Sequence, residues 1–302
     1  MIEEFLELRR VSDILYDLQK IRISTANRLR TLPKETYGIY PRTLEKLENE
    51  LTKRLEKILE EIPVWNEWLK GIKGVGPRIA STLLGRTAVE YKELQSLDGL
   101  NDLQKKYSVA MTKNGKRVYM APVYRGIEAF PTVSKLWKYM LLDVREGRAP
   151  VREKGKKLGG CLLLKTTVVG KLVPEFLKVA KGGEYEQLYR KQKSYYLARF
   201  AEIIKNPKLC PRYEECIKKL TGKAERVGRV AKKPSCKGHI ENMTRRYVGK
   251  EFVKDLWIHW REVEGLPVVP TYWEEKCQKG NENHKRSASH SLFVTQRHVA
   301  GQ

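Results

Sequence analysis

Leu69-Lys-Gly-Ile-Lys-Gly-Val-Gly-Pro-Arg-Ile-Ala-Ser-Thr-Leu83 has the pattern of a helix-hairpin-helix, two short helices joined by a glycine turn. Gly74 and Gly76 can adopt the positive φ of a tight turn, and without a Cβ they let a phosphate oxygen approach the main chain. Val75 between them is expected to point inward. Pro77 falls where a helix begins, a position at which its missing N–H is harmless and its fixed φ is already helical. Turn and helix start together present free N–H groups at the positive end of a helix dipole, which suits an anion. Lys73 and Arg78 add full charges, while Ile72, Val75, Ile79 and Leu83 form the apolar side that clamps the hairpin. Lys73, Gly74, Val75, Gly76 and Arg78 are thus the expected phosphate-binding stretch; the other reading of such a Gly-x-Gly is a plain turn. Main-chain amides that hold phosphates position a protein without reading bases.

The whole chain agrees with a polyanionic partner. Its 302 residues hold 60 Lys and Arg against 36 Asp and Glu, a formal net charge of +24 and a pI near 9.8. Such a balance points first to nucleic acid, DNA or RNA, and second to a membrane surface. No apolar run approaches the length of a spanning helix, and Met1-Ile-Glu-Glu-Phe5 lacks the basic start and apolar stretch of a signal peptide, so the expectation is a cytoplasmic protein, nucleoid-associated if prokaryotic. An odd number of cysteines, 5, argues against a disulfide framework and for metal binding or buried thiols.

Working outward from the hairpin, the periodicity predicts a mainly α protein. Leu44, Leu47, Leu51, Leu55, Ile58 and Ile62 recur at alternating three and four until Pro63, and Phe5, Ile14, Leu18 and Ile21 form a similar stripe. With Pro33, Gly38 and Pro41 between them, residues 1–63 read as an antiparallel helical hairpin or coiled coil. Residues 44–62 can serve packing within the chain or a homodimer. Residues 64–204 read as a helix-hairpin-helix domain with a small β-hairpin inserted, Tyr107–Met111 and Arg117–Ala121 around the turn signal Asn114-Gly115. Thr132 is placed to cap a helix holding Val133, Leu136, Trp137 and Met140. Residues 145–160 form a glycine-punctuated loop whose Arg145, Arg148, Arg152, Lys154, Lys156 and Lys157 suit phosphate contact, a solvated loop being the alternative. Leu162–Ala180 is expected as core. Tyr185, Leu188, Tyr189, Tyr195, Tyr196 and Phe200 among cations read as a buried face, with base stacking as the second use.

In residues 205–275, Cys210, Cys216, Cys236 and His239 supply three thiolates and an imidazole, a closed tetrahedral set for a structural zinc ion. The lysine- and glycine-rich span between the two pairs is expected to lack order of its own. A C-terminal amphipathic helix runs over 248–263 to Gly265-Leu-Pro267, with His259 as a packed core residue. Residues 276–302 have no periodic apolar face and read as a disordered tail.

Leu69–Gly85, Phe130-Pro-Thr-Val-Ser-Lys-Leu-Trp-Lys-Tyr139, the basic glycine-rich stretch 143–160 and Trp260-Arg-Glu-Val-Glu-Gly-Leu-Pro267, in this order, resemble the C-terminal transposase region of the bridge-RNA-guided insertion-sequence recombinases. The likeness covers most of residues 65–272 and implies DNA binding and descent from a mobile element. Those enzymes carry a nuclease-like domain with an acidic metal tetrad, which has no counterpart in residues 1–63. They also use a serine nucleophile after the Leu-Trp-Lys-Tyr helix, whereas 141–160 holds no Ser, Thr or Tyr. The expectation is therefore a non-catalytic DNA-binding protein with no catalytic residues. The alternative is a transposase or recombinase acting with a partner subunit or guide RNA.

Overall fold

A computed structural model describes residues 1–30, 39–145, 148–152, 155, 158–226 and 236–271 of the chain. Helices dominate. Helix α1 spans Ile2–Leu29 and α2 spans Ile39–Glu60. They run antiparallel, since Arg22 near the end of α1 pairs with Glu48 early in α2, and Glu7 near the start of α1 pairs with Arg54 late in α2. Pro33 and Gly38, expected between them, lie outside the described residues. From Leu55 onward the α2 stripe is buried within the chain, with Leu55, Leu59 and Ile62 fully enclosed, while Leu47 at the other end stays 44% exposed.

The α1 stripe is corrected by the structure. Ile14 and Ile21 face solvent, and the buried residues are Phe5, Leu6, Leu8, Val11, Ser12 and Leu15. The cause is that α1 carries apolar residues on several faces and packs two neighbours at once, α2 and the hairpin helix α4, Pro77–Ala88. Gly85 permits the close approach of α4 to α1: a Cβ there would stand 3.0 Å from the Arg9 backbone. Before α4 come the short helix α3, Pro63–Glu67, and a 3-10 turn, Leu69–Gly71.

The predicted β-hairpin is present with a third strand. β2, Val109–Lys113, and β3, Lys116–Tyr124, meet at Asn114-Gly115, both with positive φ, the primed turn that suits the strand twist. β1, Val89–Leu94, follows directly from α4 and pairs with the other edge of β3, giving the antiparallel order β1-β3-β2. Tyr107 is not in a strand. It ends α5, Asp102–Tyr107, which Asn101 and Gln104 open with a reciprocal capping box.

Thr132 does precede α6, Val133–Tyr139, although its side chain makes no cap bond. Next comes a helix in three parts: α7, Leu162–Lys165, a π-helical segment, Thr166–Leu172, and α8, Val173–Val179. Helix α9 is Glu184–Arg199, α10 is Ala201–Lys205, and a 3-10 turn at Pro207–Leu209 leads to α11, Tyr213–Arg226. Thus the span expected to lack order is helical as far as Arg226. Helix α12, Lys237–Val263, starts eleven residues before the amphipathic pattern does and ends at Gly265, φ +66, where Leu266 N–H donates to the Arg261 carbonyl.

One apolar core joins most of these, from Phe5 on α1 to Trp260 on α12, whose rings stack at 5.7 Å, while among the described residues β2, α10 and α11 add none to it. Trp257 and Trp260 are 1% exposed, and burial of side chains this large contributes about 3 kcal/mol each. Their indole N–H groups are satisfied, Trp257 donating to the Phe130 carbonyl at 2.7 Å and Trp260 to Glu264 at 2.6 Å. Gly249 brings α12 against Val168 of the π segment; a Cβ there would sit 2.7 Å from the valine methyl. Among the described residues no helix is long and apolar enough to cross a membrane.

Candidate nucleic-acid interface

The glycine turn forms as its sequence dictates. Val75 is 5% exposed and donates to the Ile72 carbonyl at 3.0 Å, and Leu69 and Leu83 anchor the two sides in the core. Pro77 is the first residue of α4, and the Gly76 carbonyl accepts from Ile79 and Ala80. Gly74 has φ +97 and Gly76 an extended φ of −89°. The two glycines have different tasks. A Cβ on Gly74 would meet the buried Phe176 ring at 3.2 Å, so its bareness serves packing against α8 and the turn conformation, not phosphate approach as the sequence suggested. A Cβ on Gly76 would meet nothing within 4 Å, so that face of the turn is open. Among the described residues, the N–H groups of Gly74, Gly76 and Arg78 donate to no protein acceptor.

The two flanking cations also differ. Lys73 is exposed and has no acidic partner among the described residues. Arg78 is half-held by α2: its Nε donates to Thr52 Oγ1 at 2.8 Å and its Nη1 lies 3.5 Å from Glu48 Oε2. Glu48 is 1% exposed and also takes Arg22 at 2.5 Å, an interaction that raises the Arg22 pKa. Arg78 therefore ties α4 to α2 and presents only part of its charge outward.

Gly76 and Arg78 line a cleft of about 510 Å³ between α1, α4 and the π segment. Helix α1 contributes Tyr16 and Gln19, and the π segment contributes Thr167 and Lys171. Sequence reading missed this wall, whose one signal is a single cation, Lys171, in the otherwise uncharged run Thr166–Val173. Partial burial, and secondarily the Arg78 charge, lower the Lys171 pKa. Its ammonium lies 5.8 Å from the Tyr16 ring, over which Lys20 also sits at 4.1 Å.

The basic loop is pinned at its base. Lys165 Nζ donates to the Pro150 carbonyl at 2.7 Å, and Arg246 of α12 donates to the carbonyls of Leu141, Leu142 and Asp143. Arg145 and Arg148 bond each other's main chain, while their guanidinium groups pair with Asp143 and Glu215, both at 2.8 Å. Arg148–Glu215 is an exposed pair, worth less than about 1 kcal/mol, so Arg148 can exchange its carboxylate for a phosphate, whereas Asp143, 21% exposed, is a partly buried partner for Arg145. Arg152 is exposed without an acidic partner among the described residues, and Lys154, Lys156 and Lys157 lie outside them.

Cys210 ends the 3-10 turn, Cys216 lies on α11, and Cys236 precedes α12 with φ +59. Burial raises the Cys236 thiol pKa, and the nearby thiols of Cys210 and Cys216 raise it further. His239 is exposed on the first turn of α12. Among the described residues, no group of three or more His, Cys, Asp or Glu is arranged to hold a metal ion. His259 differs from its expected core role: it stacks on Trp68 at 4.8 Å and its Nδ1 lies 3.3 Å from Glu262, with 38% of its side chain exposed. The α9 aromatics divide, Tyr185 and Tyr189 packing inward and Tyr195 standing 52% exposed.

No family model, curated protein or solved structure matches the chain.

Proposed function

We propose that this chain is a largely sequence-independent, non-catalytic DNA-binding protein that holds phosphates at Gly74–Arg78 and at the loop beginning at Arg145. The observation that carries the reading is the open face of the turn. Free amides at Gly76 and Arg78 stand at the start of a helix twelve residues long, beside Lys73, on a chain of net charge +24. The resemblance to the transposase region of bridge-RNA-guided recombinases supports DNA as the polyanion. It also favours a second reading, strand cleavage and transfer with a partner subunit or guide RNA, which a Mg²⁺-dependent cleavage assay with supplied partners separates: product formation overturns the non-catalytic assignment. Zinc at Cys210, Cys216, Cys236 and His239 would fasten α11 to α12, a use supported by the influence of the Cys210 and Cys216 thiols on that of Cys236. Leu44 and Leu47 are the part of the α2 seam left over for a homodimer contact. An intracellular, nucleoid-associated site of action fits the same reading.

The test is the salt dependence of binding to unrelated duplexes. Removing one phosphate-binding cation should flatten the slope of log K against log salt by about 0.9. Lys73→Gln and Arg152→Gln should each lose about that much on every duplex alike. Unchanged slopes in folded variants would remove these residues from the interface.

A further inference from the structure

The cleft beside the turn holds more donors than acceptors. Lys20 is paired with Asp17, Lys178 with Glu175 at the cleft rim, and Arg78 with the buried Glu48. Lys171 is the one lysine lining the cleft without a carboxylate partner among the described residues. Thr167, one helical turn before it, is 2% exposed, and its hydroxyl has no hydrogen-bond partner. A buried hydroxyl left unpaired forgoes a hydrogen bond that it makes in water, so an acceptor bound in the cleft would recover what the folded chain gives up. Thr167 is among the residues that line the cleft. Gly76 and Arg78, whose amides donate to no acceptor among the described residues, line the same cleft.

We infer that this cleft receives the terminal phosphate of a nucleic-acid strand, a phosphomonoester held by Lys171, the Thr167 hydroxyl and the amides of Gly76 and Arg78. The inference rests on the nucleic-acid reading above and narrows it. A diester passing the turn can be held by the amides of Gly76 and Arg78 alone, whereas Lys171 and Thr167, which line the same cleft, add donors that suit the extra charge of a monoester, which has one substituent and not two. Charge agrees, because a monoester carries close to two negative charges at neutral pH, matching Lys171 and the outward part of Arg78. The Glu175 carboxylate at the rim is already satisfied by Lys178 at 3.0 Å. A π-helical stretch is an uncommon element that recurs at functional sites, and here it is the segment that carries both Thr167 and Lys171.

The experiment compares trinucleotides bearing a 5′-phosphate, a 3′-phosphate or only hydroxyl ends, together with inorganic phosphate and covalently closed circular DNA, by competition against a labelled duplex. One phosphorylated end should bind at least about tenfold more tightly than the hydroxyl form, the share expected of several charge-assisted hydrogen bonds. Lys171→Gln and Thr167→Val should each erase that preference and leave circular DNA binding unchanged; the second removes an unsatisfied hydroxyl, so folding is not at risk. Equal affinity for phosphorylated and hydroxyl ends, or a preference that survives Lys171→Gln, overturns the inference. Inorganic phosphate competing as well as the trinucleotide does so too, by assigning the cleft to the free ion. Failure to bind circular DNA instead overturns the proposed function, and the trinucleotide preference then stands or falls separately.

Discussion

Gly74 and Gly76 occupy one turn yet should respond in opposite ways to the same substitution. At Gly74 a side chain must tolerate φ +97, which costs an L-residue about 1–2 kcal/mol, and its Cβ meets the fully buried Phe176 ring at 3.2 Å, which cannot swing away. Gly74→Ala should therefore destabilise by about 2 kcal/mol, a fall of roughly 3 °C in Tm for a chain of this size. Gly76 has an ordinary extended conformation and open space at its Cβ. Gly76→Ala and Gly76→Val should leave Tm unchanged or slightly raised, since the unfolded chain loses freedom. Affinity reverses the order. The open face of Gly76 is where a phosphate approaches, and breaking a charge-assisted hydrogen bond there costs about 1.5–3 kcal/mol, roughly ten- to a hundredfold in Kd. Thermal melts and fluorescence anisotropy on two unrelated duplexes measure both. A folded Gly76→Val protein with unaltered affinity for either duplex would refute the reasoning, because the turn would then be a plain turn.

Acid should act through Glu241, which burial pushes upward but which hydrogen bonds from Tyr189, Lys193 and Arg245 together bring down to about 2. A carboxyl depressed below its unfolded value of 4.5 adds stability that is complete above that pH and drains away as pH falls toward 2; the amount is about 3 kcal/mol. Urea midpoints at pH 7 and pH 3 should differ less in Glu241→Gln than in the parent, and equal differences would discount this cluster. Glu48→Ala strands Arg22 and Arg78, partly solvated, and should cost about 2 kcal/mol by chemical denaturation; a loss below about 0.5 kcal/mol, the size of an ordinary surface change, would show that solvent already screens the pair. Elemental analysis of purified protein should give about one zinc, lost in Cys236→Ser, and less than about half an equivalent would argue against the four-residue ligand set.

The sequence made some of this legible and concealed the rest for definite reasons. The hairpin motif could be read because its signals are local: two glycines, a proline at N1 and apolar residues in phase. The Asn114-Gly115 turn was legible on the same ground. β1 was hidden because Val89 follows α4 with no intervening turn residue. Helix α5 was overlooked although Asn101 and Gln104 spell its capping box. The face of α1 was misjudged because Ile14 and Ile21 are as apolar as Leu8 and Leu15, and only the two-sided packing against α2 and α4 decides among them. The cleft could not be read at all, since Tyr16, Gly76 and Lys171 come from segments far apart in the chain and meet only through the tertiary fold.

The most direct test of phosphate binding at the turn is the amide spectrum of ¹⁵N-labelled protein during titration with a short duplex of arbitrary sequence. The resonances of Gly76 and Arg78 should move in proportion to occupancy, those of the buried Val75 much less, and added salt should return them. Saturation of the duplex with both of these amides unmoved would contradict the central claim.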